Sequence, residues 1–542
     1  MVTLAANATK KRLVAVGNNE VWIEGTGVSA GTMVELDTSS GAIDTSDQLM
    51  IFEGYGKVFV VNGTILKVAD FQNTKITTAD IGTYPPDRGN ILTEADGAAM
   101  IVDYITNDTA NAACTIYGYR TTTAKFQNAH AVTGTAAAGA ISFTTNAAEV
   151  APNPAHWYDW TPYGNAARSA TKTTYGTMPA KAYVGCLSGG RCVLSGNPSY
   201  PHQAPTSAAG NPWDWNIYRT TADRATVIGS GAAGQIGDVV RALIPARDGQ
   251  LILGCANSIH IMIDNPAYGG QMVDINGVGI FGPMSWCFDG DGNLYAYATS
   301  GVIKLARGAS QVEQISQVSL PNLIADEAAD PSTHRVTMGY DPIRSGLEIC
   351  VTLLSSGASS NYWLDLKTNG FFPDTRADAH GVYSQFHYDA NATTYKGLLF
   401  GCTDGYIRVH DDATTNDDGA AIDSYVCLGP IPLAEDGRDG SLEAIDVILA
   451  GGASGSLTDS NDATVQVWAE DVAETLLEKF IAGTSPKLSM TFDGPGRARG
   501  GKRRRGVRGA FAGIKIGNST ISQTWGMEKI LLDGGAPGKR LR

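Results

Sequence analysis

Apolar residues along this chain come in short solid runs rich in aromatic and β-branched side chains, broken by Gly, Asn and Asp turns. The three-to-four spacing of an amphipathic helix is almost absent. Residues 49–70 (LMIFEGYGKVFVVNGTILKVAD), 239–264 (VVRALIPARDGQLILGCANSIHIMID), 284–305 (MSWCFDGDGNLYAYATSGVIKL) and 397–410 (GLLFGCTDGYIRVH) show the pattern most plainly. Each predicts two or three antiparallel strands of a sheet too small to bury its own apolar faces, so neighbouring units must stack. The expected fold is all-β: a β-propeller with an inserted β-rich domain and a C-terminal β-domain.

Pattern changes along the chain mark the expected divisions. Residues 1–80 read as the first propeller strands, with Val21, Trp22 and Ile23 in one of them. Residues 81–175 turn Thr/Ala-rich and close on the aromatic stretch Trp157, Tyr158, Asp159, Trp160, Thr161, Pro162, Tyr163; they read as a β-rich insertion at the propeller rim. Blade-like material resumes over 176–435, with 310–330 as a loop or short helix. Residues 436–542 read as a separate β-domain, in which 471–481 (DVAETLLEKFI) has helical composition, a twisted hairpin being the alternative.

Composition narrows the class. At 542 residues the chain exceeds the roughly 250–300 that one core supports, which calls for several domains or radial repetition. With 43% hydrophobic residues, 17% charged and 64 Gly, it reads as folded and loop-rich. Residues 1–16 lack a signal-peptide pattern and no long apolar segment follows, so synthesis and retention in a cytoplasm are expected. The eight cysteines (114, 186, 192, 255, 287, 350, 402, 427) are scattered, several within predicted strands, and read as buried reduced thiols.

Catalytic equipment is not evident. Asp289-Gly290-Asp291-Gly292-Asn293 imitates the start of a calcium loop, but Leu294 stands where a glycine is needed and Ser300 where a bidentate carboxylate is needed. A hairpin turn is the simpler reading. His334, His380, His387 and His410 share no motif, and no GxSxG, HExxH, P-loop or dinucleotide fingerprint occurs. The expectation is a protein that is not an enzyme, with no cofactor and no metal.

Charge supplies the sharpest feature. The net charge of −14 splits into 28 basic and 52 acidic residues over the first 496 positions, against 12 basic and 2 acidic afterwards. Arg497, Arg499, Lys502, Arg503, Arg504, Arg505 and Arg508 form a basic run that could neutralise nucleic-acid phosphates, stand as a solvated loop, or dock on an acidic neighbouring subunit. Trp157, Trp160, Trp213 and Trp215 are candidate anchors for appendage or subunit docking, with local core packing as their alternative.

Several phrases carry a resemblance. Ser195-Gly196-Asn197-Pro198, Asn211-Pro212-Trp213-Asp214-Trp215, Ile236-Gly237-Asp238 leading into Val240, Arg241, Ala242 and Leu243, and Ser258-Ile259-His260-Ile261-Met262 follow in order. So do residues 277–283, 289–297 and 300–305, and an Arg-rich stretch before Trp525-Gly526-Met527-Glu528-Lys529-Ile530. Over 181–307 and 497–542 the chain resembles the tail nozzle (tail hub) proteins of short-tailed bacteriophages. The resemblance implies a structural virion protein of the tail, assembled in the host cytoplasm. Six copies would form a ring that continues the DNA ejection channel below the portal and adaptor, anchors fibres, spikes or a needle, and lets double-stranded DNA pass without stable membrane insertion. An acidic lumen would suit that passage by repelling phosphates. The alternative is a carbohydrate-active or carbohydrate-binding propeller, in which the aromatic stretch 157–163 stacks on sugar rings.

Overall fold

The computed structural model describes all residues except 1, 8–9, 18–19, 26–30, 37–47, 151–155, 163–174, 232–233, 247–248, 378–379, 412–413, 435–438, 452–459, 500–506 and 536–542. The chain divides into two compact units, Met1–His410 and Asp411–Arg542. Among the described residues no helix is long and apolar enough to cross a membrane.

Among the described residues the first unit is a β-propeller of seven blades, with an inserted sheet and a two-stranded pair, Ser230–Gly231 and Gly234–Gln235, beside them. Blade 1 is Val2–Asn7, Lys10–Gly17, Glu20–Glu24 and Met33–Glu35. Blade 2 begins with Met50–Gly54, Lys57–Val61 and Leu66–Asp70, and takes its fourth strand, His156–Asp159, from beyond the insertion. Blade 3 is Val184–Ser188, Arg191–Ser195, Ala204–Thr206 and Thr226–Ile228. Blade 4 is Val240–Pro245, Leu251–Cys255, Ser258–Ile263 and Gln271–Asn276. Blade 5 is Trp286–Phe288, Leu294–Ala298, Gly301–Leu305 and Val312–Gln314. Blade 6 is His334–Asp341, Gly346–Leu353, Ser359–Asp365 and Gly370–Asp374. Blade 7 has three strands, Val382–Tyr388, Gly397–Cys402 and Ile407–Val409.

The solid apolar runs follow from this stacking. Side chains alternate across a strand, and a blade is covered on both faces, so both alternating sets must be apolar. In blade 4, Leu251, Leu253 and Cys255 pack with Val184, Cys186 and Val193 of blade 3, while Ile252 packs with Leu294, Ala296 and Ile303 of blade 5. Each successive pair of blades shares such a core. The ring closes between blades 7 and 1, where Leu13 packs on Tyr388 and Leu399. Polar bonds reinforce the closure. The Tyr388 hydroxyl donates to the Glu24 carboxylate, which also accepts the Leu13 amide at 3.1 Å. Lys11 pairs with Asp389, and Asn391 Nδ2 donates to the Lys11 carbonyl at 2.8 Å.

The insertion is a six-stranded antiparallel sheet in the order Gly139–Thr144, Ala131–Ala136, Ile91–Glu94, Ala99–Ile105, Cys114–Arg120, Thr74–Thr78. It enters and leaves between the third and fourth strands of blade 2, and its core (Ile76, Leu92, Met100, Tyr104, Ile116) is continuous with that of blades 2 and 3. Within the 310–330 connection, residues Leu323–Glu327 form one short helix.

The second unit is a sandwich of two antiparallel sheets. Its strands are labelled β1 (Ser424–Pro432), β2 (Gly440–Leu449), β3 (Ala463–Glu470), β4 (Leu488–Phe492), β5 (Gly496–Arg499), β6 (Val507–Gly509), β7 (Phe511–Asn518) and β8 (Met527–Gly535), with one helix, α1 (Ala473–Ile481). One sheet runs β1-β7-β3-β4; in the other, β5 and β6 pair with one edge of β2 and β8 pairs with the opposite edge. Val465, Val467, Ile514 and Ile516 meet Ile445, Val447 and Leu449 between the sheets. On the outer face α1 covers Trp468, whose ring meets Phe480 edge-on at 5.0 Å and whose Nε1 donates to the Thr484 carbonyl. The unit starts at Asp411, so the strand at 424–432, assigned by sequence to the blades, belongs here. Its pairing with β7 decides this, a partner some eighty residues away that local pattern cannot name.

Candidate functional site

Buried polar groups are where function usually shows, because a polar side chain is costly to bury unless it is bonded. In blade 2, Lys57 is 3% exposed, with Nζ 2.8 Å from Asp103 Oδ2 and 3.9 Å from Asp70 Oδ2. Asn73 Nδ2 donates to both carboxylates at 2.8 and 2.7 Å. Arg88 reaches Asp103 at 3.1 Å and donates to the Gly210 carbonyl at 2.8 Å, and the Trp213 ring lies beneath both cations. Burial raises the Asp70 carboxyl despite Lys57, whereas at Asp103 burial is overcome by Lys57 and Arg88 and the carboxyl is lowered. These bonds fasten the inserted sheet to blade 2 and to the loop bearing Trp213.

A second group sits on blade 4. Ser258 Oγ lies 3.0 Å from His260 Nε2, and His260 Nδ1 lies 2.6 Å from Asp274 Oδ1, the connectivity of an acyl-transfer triad. Yet Ser258 Oγ is also 3.1 Å from Asp238 Oδ2. The Asp238 carboxyl is lowered: burial alone would raise it, but the Asn257 and Val239 amides and the Ser258 hydroxyl overcome that. A hydroxyl has one proton, and ionised Asp238 can only accept. With Nδ1–H facing Asp274, a neutral ring leaves Nε2 as an acceptor, so Ser258 has one proton and two acceptors within reach, Asp238 and His260. The set clasps the turn before blade 4 onto its third and fourth strands. Sequence reading missed it because Ser258 and His260 alternate on one face of an ordinary strand; an i, i+2 Ser/His pair was the available signal.

Other groups are likewise spent on bonds within the unit. Buried Arg191 donates to the carbonyls of Ser207, Asp223 and Ala222 and to Asn265 Oδ1 at 3.2 Å, joining blades 3 and 4. A cleft of about 410 Å³ lies beside it, floored by Val193, Ile228, Leu251 and Met262. Arg376 pairs with Glu348 at 2.6 Å and with Asp374 at 3.1 Å, and lies over the Phe400 ring, joining blades 6 and 7. In the insertion, His130 Nδ1 lies 2.7 Å from Glu94 and 3.1 Å from Asp96. This is a carboxylate–histidine grouping in which Glu94 and Asp96 are neighbours in sequence and His130 comes from a later strand hairpin.

The Asp289 stretch forms a turn. Asp289 Oδ1 accepts the Asp291 and Asn293 amides at 2.9 and 2.8 Å, and Oδ2 accepts Asn293 Nδ2 at 2.7 Å. Of the eight cysteines, seven are buried and free, and Cys427 is exposed and free.

The tryptophans require a correction. Trp157, Trp160, Trp213 and Trp215 are 1–3% exposed. Trp160 packs on Phe59 at 4.5 Å and edge-on against Trp215; Trp213 stacks on Tyr104 at 4.8 Å. Trp160, Trp213 and Trp215 fill the junction of blade 2, the insertion and blade 3, and Trp157 lies in the core between blades 1 and 2. As core they present no ring face for docking or for a sugar.

The two ends of the basic run lie on strands of the sandwich. Arg497 on β5 is exposed and pairs with Asp446 of β2, and Arg508 on β6 is exposed. Arg499 is on β5 as well. Lys502, Arg503, Arg504 and Arg505 lie outside the described residues. Because β5 pairs with Asp446–Leu449 and β6 with Gly440–Leu442, both flanks of the run are held along the same edge of β2.

No protein-family model matches the chain, and no curated protein does. Among solved structures it is similar to the extracellular domain of a Bacteroides thetaiotaomicron protein described as a hybrid two-component system, at 11% identity and TM-score 0.34, over 90% of this chain and 58% of that one. It is also similar to PorZ, a surface component of the type-IX secretion system of Porphyromonas gingivalis, at 11% identity and TM-score 0.31, over 96% of this chain and 65% of that one. Dipeptidyl peptidase 4 of the same organism gives 9% identity and TM-score 0.27, over 69% and 50%. The chain thus spans less than two thirds of each of these proteins, and likeness at this level assigns no function.

Proposed function

We propose that this protein is a structural subunit of the tail nozzle of a short-tailed bacteriophage, a ring component that continues the DNA channel and carries appendages. The observation that carries the reading is how the polar chemistry is spent. The strongest buried constellations among the described residues around Lys57, Arg191, Arg376 and Tyr388 bind blade to blade or insertion to blade, and the one around Ser258 ties blade 4 to the turn that precedes it. A closed propeller fastened in this way is a platform, and the second unit holds Arg497, Arg499 and Arg508 on two short strands paired along one edge of β2, which suits a protein partner. The phrases that resemble the nozzle family agree with the same reading.

Negative-stain electron microscopy of the purified full chain, alone and with its ring-shaped adaptor, tests this. Sixfold rings or tubes with a channel about as wide as duplex DNA are expected. Isolated propellers under both conditions would overturn the reading.

A further inference from the structure

The inserted sheet gathers three metal-ligating side chains where two of its hairpins meet. Strand Ile91–Glu94 passes into Ala99–Ile105 through a tight turn, in which the Gly97 amide donates to the Glu94 carbonyl at 3.0 Å and the Glu94 amide donates to the Ala98 carbonyl at 2.9 Å. Asp96 stands in that turn. Along its other edge Ile91–Glu94 pairs with Ala131–Ala136, with Val132 opposite Glu94, so His130 comes up beside the turn. Glu94, Asp96 and His130 each offer one ligand atom, and the three atoms lie within 4.8 Å of one another.

Hydrogen bonds alone do not balance the charge of this group. The Glu94 side chain is fully buried, and a buried carboxylate is ordinarily paired with a cation or bound to a metal. Among the described residues no lysine or arginine pairs with Glu94 or Asp96; both carboxylates face the same atom, His130 Nδ1, at 2.7 and 3.1 Å. One ring nitrogen carries one proton, so a single proton serves two anions. A divalent cation held by the bare nitrogen and the two carboxylates brings the group to neutrality.

The ligand atoms are held from behind. The Gln127 amide donates to Glu94 Oε2 at 3.1 Å and Oε1 at 3.3 Å. The His130 amide donates to Thr145 Oγ1 at 3.1 Å, and the His130 carbonyl accepts the Thr145 amide at 3.0 Å. Contacts of this kind orient a ligand before the metal arrives. Ligand atoms about 2.0–2.1 Å from a tetrahedral zinc ion stand roughly 3.3 Å apart. The separations of 2.7 and 3.1 Å therefore open by well under one ångström to admit it. Asp96 and His130 have side chains 58% and 41% exposed, which leaves the fourth position to solvent.

From this geometry we propose that Glu94, Asp96 and His130 form a mononuclear zinc site with water as the fourth ligand. An imidazole among the ligands favours zinc over calcium or magnesium, which take oxygen donors. The bound ion ties the turn at 95–98 to the start of Ala131–Ala136 and so staples three strands of the insertion.

Zinc titration of the full chain, purified without a polyhistidine tag and stripped with a chelator, tests the site. By isothermal titration calorimetry the wild type is expected to take up one equivalent of zinc sulfate, and its melting temperature should rise with free zinc. His130→Ala and Glu94→Gln are expected to bind about 100-fold more weakly or worse, beyond what loss of an outer contact costs, and to show no zinc-dependent rise. Should either lose its β circular-dichroism signature, Asp96→Ala, at an exposed position, reads the same loss. Cobalt(II) in place of zinc gives a second measurement: nitrogen and oxygen ligands produce ligand-field bands without the sulfur-to-cobalt charge-transfer band of a cysteine site. No uptake by the wild type, equal uptake by the variants, or a thiolate band overturns the site and leaves the three residues as a hydrogen-bonded clasp. Neither result bears on ring formation, which the imaging above reads separately.

Discussion

At Lys57 the molecule commits a full charge to its interior, and the geometry shows why that is tolerated: one ammonium faces two carboxylates and a tryptophan ring, and Asn73 bonds both acids. Removing one member of such a set leaves an uncompensated buried charge, which costs about 3–5 kcal/mol, whereas replacing the set together costs far less. Lys57→Met is therefore expected to lower unfolding stability by roughly that amount in denaturant titrations. Adding Asp103→Asn should recover part of the loss. Full additivity of the two substitutions would show that they do not share a network. Individual residues were partly legible in advance: the apolar identity of Leu251 or Val467 announced burial. The pairing of Lys57 with Asp103 did not, since a lysine within a strand reads as solvent-facing until a second sheet covers it.

Between elements, close backbone approach sets the spacing of the blades. A Cβ built on Gly279 would fall 1.8 Å from the Ala256 carbonyl oxygen, on the turn between the second and third strands of blade 4. The oxygen is backbone and the Cβ is fixed rigidly to its own backbone, so neither can swing away, and the connection into blade 5 has to move. Gly279→Ala should cost about 1–3 kcal/mol, in the range of overpacking, and lower the melting temperature. An unchanged melting curve would mean that the blade 4–5 junction relaxes freely. The strands themselves were readable because their solid apolar runs reflect coverage on both faces. Helix α1 was readable from composition, yet its partner was not: Trp468 looks outward in the strand alternation, and only the helix laid over it makes it core.

On the scale of the whole molecule, ring closure is the weakest-looking seam, a small apolar cluster bordered by exposed ion pairs between blades 7 and 1. The Asp389 carboxyl is held down to about 2 by hydrogen bonds from Lys11 and Lys396, below its ordinary 3.8. A depressed carboxyl stabilises the fold above its unfolded value and loses that contribution as pH falls through the folded one. The melting difference between wild type and Asp389→Asn should therefore be constant above about pH 5, shrink below 3.8 and vanish near 2. A difference that persists at pH 2 would show that the seam does not depend on this charge.

What the sequence determined alone was the class: alternation, turn chemistry and unit spacing require small sheets that stack, and the charge split requires a basic segment appended to an acidic body. These are local properties, carried by each run of residues whatever surrounds it. Tertiary structure decided the rest. Seven blades, the strand at 424–432 placed in the sandwich, and the insertion between the third and fourth strands of blade 2 all depend on pairings between distant segments. So does the fate of the aromatic stretch at 157–160. Nothing in its local pattern distinguishes a displayed tryptophan from a buried one, because the residues that bury Trp160 arrive from 50–61, 74–144 and 191–215, and those that bury Trp157 from 14–23 and 58–69.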